Sequence, residues 1–117
     1  MAINDKNTEK LEIALTDLRI AISSTENPPI ELLYKAHIIP LIAEFLKKEH
    51  FEYVKVQTEA AWIIANVLSG DSIYTEYVVK ELNGIELMLT LLHSPSQGVQ
   101  EMVRNQKFLW LDTVYAI

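Results

Sequence analysis

The chain has 117 residues, enough for one domain with a modest core. Half of it is hydrophobic, which excludes disorder, and a net charge of −6 from 16 acidic and 10 basic residues argues against non-specific nucleic-acid binding, which needs Lys and Arg on phosphates. It has no cysteine, so disulfides, thiolate catalysis and Cys-type zinc sites are excluded. The acidic balance is compatible with a basic partner and equally with simple solubility. The first ten residues, MAINDKNTEK, are polar and hold no signal-peptide core, and no apolar run nears the roughly 18 to 20 residues of a membrane span. The expectation is a soluble intracellular protein with no membrane segment and no cofactor.

Helical periodicity runs through the whole chain. Leu11, Leu15, Leu18 and Ile22 predict a helix over 8–24, with Thr8 as N-cap. Asn27-Pro28-Pro29 breaks it and opens a short helix over 29–36. Pro40 opens another to about Glu49, and the polar stretch Lys47 to Glu52 reads as a loop. A long helix over 54–69 follows, closed by Gly70, the residue that most readily takes the left-handed conformation. Asp71 or Ser72 caps the next helix, which ends near Leu82 before the stop signal Asn83-Gly84. A short helix over 85–92, a turn at Ser94 to Gly98 and a last helix over 99–117 complete the chain. Strand-like alternation and hairpin signals do not compete.

The order short, medium, long helix occurs twice, and the apolar positions repeat with it. A shift of 46 residues pairs Leu32 with Val78, Leu33 with Val79, Ala36 with Leu82 and Ile39 with Ile85. It also pairs Leu41 with Leu87, Ile42 with Met88, Phe45 with Leu91 and Leu46 with Leu92. A three-helix unit of this length is that of an armadillo or HEAT solenoid. The fold expected is all-α, an armadillo-type right-handed superhelical solenoid of about two and a half repeats. Residues 8–24 would end a first repeat, 29–70 form the second, and 71–117 a third, atypical one, all within one domain spanning 1–117.

The 54–69 helix carries the constellation of most interest. Val56, Ala60, Ile63, Ile64 and Val67 make one apolar face for a core. Trp62 and Asn66, four residues apart, share another, with Ser69 one turn further. An indole beside a side-chain amide suits an extended peptide. The ring attracts a cation and shields its aliphatic stem, and the amide offers a donor and an acceptor to a backbone. Trp62 on a core face is the plain alternative, whereas Asn66 buried without partners would cost about 1–3 kcal/mol.

Pro28-Pro29-Ile30, Ala36 and Ile38-Ile39-Pro40, then Glu59-Ala60-Ala61-Trp62-Ile63-Ile64-Ala65-Asn66 with Ser69-Gly70 and Thr75, then Gly84-Ile85, Leu91-Leu92 and Ser94-Pro95, resemble successive armadillo segments of the importin alpha family. The likeness covers about residues 14–101. It implies a nuclear-import adaptor that holds an extended basic localisation-type peptide in a concave groove, working in cytoplasm and nucleus. Trp62, Asn66, Ser69, Gly70 and Thr75 are the groove positions it implies. The partners it implies are basic peptide or protein cargo. The family's basic region for importin beta is not visible in this sequence, so that partner is not expected. The tryptophan ladder is reduced to one rung. Positions 105 and 109 hold Asn105 and Leu109, and the corresponding positions of the first helix, near Thr16 and Ile20, hold neither ring nor amide. The alternative function is a generic armadillo scaffold for protein interaction or self-assembly.

Other chemistry finds little support. His37, His50 and His93 lack metal-ligand spacing, the three glycines form no phosphate loop, and no nucleophile grouping stands out, so no metal and no enzyme is expected. The apolar end, Phe108 to Leu111 and Val114 to Ile117, lacks the polar face of a terminal repeat, and is expected to fold back as a cap or pair with another copy.

Overall fold

Helix α4 (Val54–Leu68) is the column on which the other helices are laid. Its apolar side, Val56, Ala60, Ile63, Ile64 and Val67, is sealed from solvent as the 3.6-residue spacing requires. Each large side chain among them contributes about 1.5–3 kcal/mol by leaving water. The computed structural model describes residues 6–24 and 28–115, and the side chains of all of these except 107–110 and 112–115.

Helix α1 (Thr8–Ser23) lies along one flank of α4 and α7 (Gln97–Tyr115) along the other. Behind α4 stand α3 (Ile38–Glu44) and α5 (Ser72–Leu82), joined to the short helices α2 (Ile30–Lys35) and α6 (Gly84–Thr90). Leu11, Leu15 and Ile22 of α1 and Val99 and Val103 of α7 are buried. Each expected helix is present with ends moved by one or two residues, apart from two tightened stretches; the expected end of the last helix, at 117, lies outside the described residues. Lys48–His50 and Leu91–His93 form 3-10 turns, so the medium helices are shorter than their periodicity implied. Pro40 sits in the first turn of α3, where its missing N–H costs nothing. Asp71 caps α5, its carboxylate accepting from the Ile73 amide at 3.2 Å.

The end of α4 differs from expectation. Gly70 does not take the left-handed conformation; the only residues with positive φ among those described are His37 (φ 59°) and Asn83 (φ 54°). The reason lies in how the last carbonyls are satisfied. The Thr75 hydroxyl donates to Leu68 O at 3.0 Å, and the Ser69 hydroxyl donates to Ala65 O at 2.7 Å. With side chains doing this, no left-handed turn is needed. His37 and Asn83 instead hold the sharp corners that lead into α3 and α6. Gly84 is needed for close approach. A Cβ there would overlap Val78 Cγ1 and stand 3.0 Å from the Val78 carbonyl oxygen.

The internal period changes along the unit. From α3 to α6 it is 46 residues (38 to 84), whereas from α4 to α7 it is 43 (54 to 97). The segment from Phe45 to Tyr53 absorbs the difference. It is tied down by Gln57, whose Nε2 donates to Phe45 O at 3.1 Å and Lys47 O at 2.9 Å. Among the described residues every regular element is a helix, and none is long and apolar enough to cross a membrane. The architecture is all-α and of the armadillo type. The apolar C-terminal segment lies outside the described side chains, apart from Leu111, which packs partly buried on the core.

Candidate functional site

Trp62 and Asn66 emerge half-buried on the side of α4 that faces α1. Two contacts set the register there. The Arg19 guanidinium carbon lies 4.5 Å from the centre of the Trp62 ring, and Asn66 Nδ2 reaches Ser23 Oγ at 3.5 Å. Arg19 and Ser23 are four residues apart, as Trp62 and Asn66 are, and both contacts advance together. The two helices therefore run in the same direction with an offset of 43 residues. The neighbours of the Trp62–Asn66 pair are thus Arg19 and Ser23, and not the Thr16 and Ile20 region obtained from a shift of 46. That shift relates α3 to α6 and does not apply to the long helices.

Arg19 is fixed from below. Its Nε donates to Glu59 Oε2 at 2.6 Å, and the Glu59 side chain is only 4% exposed. Lys55 Nζ approaches the other carboxylate oxygen at 3.3 Å from the solvent side. Desolvating a carboxylate is costly unless charges and hydrogen bonds meet it, and both oxygens here are met. The result is a cation clamped on an indole face, with the carboxylate beneath it. Sequence reasoning missed Arg19, Ser23 and Glu59. The signal was there: a Glu at the head of the apolar run Ala60 to Ala65 demands a basic partner if the helix buries it.

Asn66 is partly committed. Its Nδ2 donates to Trp62 O at 2.9 Å, one turn back along α4. Among the described residues its Oδ1 accepts no bond, so the amide presents a free acceptor more readily than a free donor. Asn66 and Gly70 line one cleft of about 420 Å³, together with Ile30, Tyr74 and the carboxylates of Glu31 and Asp71. Trp62 lies outside that cleft, one turn back beneath Arg19. Ser69 is exposed with its hydroxyl turned to Ala65 O. Thr75 is fully buried, and its hydroxyl is held by the carbonyls of Leu68 and Asp71. It shapes the wall under Gly70 rather than the surface. No cluster of His, Cys, Asp and Glu among the described residues could hold a metal ion.

Comparison with known proteins gives a consistent direction. The chain is 37% identical over 98 residues to importin subunit alpha-1b of Oryza sativa subsp. japonica, covering 84% of this chain and 18% of that protein. It is 37% identical over 98 residues to importin subunit alpha-2 of Arabidopsis thaliana, with the same shares. It is 30% identical over 99 residues to importin subunit alpha of Saccharomyces cerevisiae, covering 85% of this chain and 18% of that protein. No family model matches. The chain therefore spans about 18% of the length of these curated relatives.

Proposed function

Because this chain is related to the importin alpha family through a region about 18% of those proteins' length, we propose that its α1–α4 face is an adaptor surface for an extended basic peptide of the nuclear-localisation type. Trp62, Asn66, Ser69 and Gly70 would touch the peptide, and Thr75 would support them from beneath. The observation that supports this reading is the Arg19–Trp62 stack, in which the indole already attracts a guanidinium at 4.5 Å. A lysine or arginine of a bound peptide would exploit the same ring chemistry, at roughly 0.5–2 kcal/mol per contact. Asn66 Oδ1 would accept a backbone N–H from the peptide. The relatives are importin subunits, and an adaptor needs no reaction centre. Work in cytoplasm and nucleus, on basic cargo, belongs to this proposal. So does the division into a first repeat ending at 8–24, a second over 29–70 and a third over 71–117, which the recurrence of a left-handed residue before α3 and α6 supports.

A second reading is favoured by the same stack. Arg19 occupies a face of the ring, which a scaffold with no peptide ligand would leave undisturbed. Titration of a lysine-rich localisation peptide against wild type and Trp62→Ala, followed by tryptophan fluorescence and by calorimetry, separates the two. Saturable binding that is lost in Trp62→Ala is expected. Absence of binding to wild type at low salt would remove the peptide reading and leave the scaffold.

A further inference from the structure

Beyond Gly70 the surface continues onto a feature that the Trp62–Asn66 reading does not use. Tyr34 of α2 meets Tyr74 of α5 at 5.6 Å between ring centres, and meets Tyr77 edge-on at 4.9 Å. Tyr74 borders the cleft that holds Asn66. Tyr34 and Tyr77 border a second cleft of about 470 Å³, with Ile73, Glu76, Lys80 and Glu81 on its walls. The Tyr34–Tyr74 contact is therefore the ridge between two adjoining clefts. Tyr34 is 41% exposed and Ile73 67%. Tyrosine has an apolar ring and a polar tip and is enriched at interfaces, and three of them clustered at the surface beside an exposed Ile73 suit a contact surface.

Charge says what would cover it. Glu31, Asp71, Glu76 and Glu81 surround the rings. Glu31 pairs with Lys35 at 2.9 Å and Glu76 with Lys80 at 2.6 Å. Asp71 and Glu81 have no Lys or Arg partner among the described residues, so the surroundings carry uncompensated negative charge. The phenols register it. Partial burial pushes the Tyr74 hydroxyl above its ordinary pKa, and the Glu31 and Asp71 carboxylates push it further. Burial, then Tyr34 and Glu81, raise Tyr77.

We propose that the tyrosine ridge of α2 and α5 is a docking subsite for an arginine-bearing extended segment of a partner protein. A guanidinium is flat and weakly hydrated, so it stacks on a phenol face and forks to a carboxylate at once. The segment would cross from Asn66 over Tyr74 into the Tyr34–Tyr77 cleft. The inference rests on the adaptor reading for that shared Asn66 edge. It supplies a second anchor where no second tryptophan rung exists.

The test is amide and side-chain NMR of the isotope-labelled chain at low salt, titrated with an arginine-alanine repeat peptide and with its citrulline counterpart. Shifts at Glu31, Tyr34, Asp71, Tyr74 and Tyr77 are expected with the arginine peptide and not with citrulline. Asp71→Ser, which keeps the helix cap, combined with Glu81→Gln should weaken binding roughly three- to tenfold. Shifts confined to the Trp62 indole and the Asn66 amide overturn this inference and leave the adaptor reading standing. Shifts at the tyrosines with Trp62 and Asn66 silent overturn the adaptor reading and the crossing from Asn66, and support the tyrosine subsite alone. Equal shifts with citrulline overturn it because charge is then not what is recognised, and silence with both peptides removes both proposals.

Discussion

Replacing Arg19 by alanine strips two contacts at once. The Trp62 ring loses its cation, and Glu59 loses its closest partner while remaining 4% exposed. The cation–indole contact accounts for about 1 kcal/mol in a half-buried setting. The charge-assisted hydrogen bond to a buried carboxylate accounts for about 1.5–3 kcal/mol. Breaking a fully buried ion pair costs about 3–5 kcal/mol, but Lys55 at 3.3 Å still neutralises Glu59 in part, so the upper end does not apply. The expected loss is about 2–4 kcal/mol, a large share of the roughly 5–15 kcal/mol that holds a domain folded. Urea unfolding followed by far-ultraviolet circular dichroism measures it, with the slope unchanged between variants. Arg19→Lys keeps the charge but loses the planar guanidinium on the ring and its Nε–H donor, and should fall between. Glu59→Gln and the double variant close a thermodynamic cycle, whose coupling should be about 1–3 kcal/mol. A loss below about 0.5 kcal/mol for Arg19→Ala, or full additivity in the cycle, would refute the clamp.

Gly84→Ala should destabilise by about 1–2 kcal/mol, since its new methyl collides with Val78; in a Val78→Ala background the added loss should shrink without vanishing, because the Val78 carbonyl oxygen still stands 3.0 Å from the new methyl, as denaturant unfolding would show. His37→Gly should raise the unfolding free energy by about 0.5 kcal/mol, because His37 holds a left-handed corner at φ 59° that glycine adopts without a steric cost; a fall in stability would mean the imidazole contributes more than the backbone loses. Tyr74 and Tyr77 have raised pKa values in the folded chain, so the fold gains from their neutral forms. That gain is complete below the unfolded value of about 10 and is lost as pH climbs through the raised folded values. Phenolate absorbance assigned with Tyr74→Phe should show Glu31→Gln moving Tyr74 back toward its ordinary value. An unmoved titration would mean that the Glu31 carboxylate is not felt at the ring.

The helices were legible because their signals are local. Leu11, Leu15 and Ile22 share one helical face by spacing alone, and Pro29 and Pro40 stand where a first turn tolerates a missing donor. Asn66 was singled out by its four-residue spacing from Trp62 and Gly70 by resemblance, and the two share a cleft. Thr75 was singled out by resemblance, and its hydroxyl turns inward to the end of α4. Gly70 illustrates a local signal that tertiary structure overrode. Thr75 and Ser69 satisfied the helix end, so the glycine's conformational freedom went unused.

By itself, then, the amino-acid sequence determined the helices of the described residues, their order and which side of α4 is apolar, because each depends on neighbours within a few positions. What rests on Trp62 was decided only in three dimensions. The offset between α1 and α4 depends on where the Phe45–Tyr53 segment absorbs three residues, and Gln57 anchors that segment through two carbonyls across the fold. With that offset Arg19, forty-three residues from Trp62, falls on the indole and not beside it, and Glu59 is buried because a partner from another helix arrives to hold it. Spacing along one helix says which side chains share a face, whereas the identity of the side chain opposite is set by packing between helices.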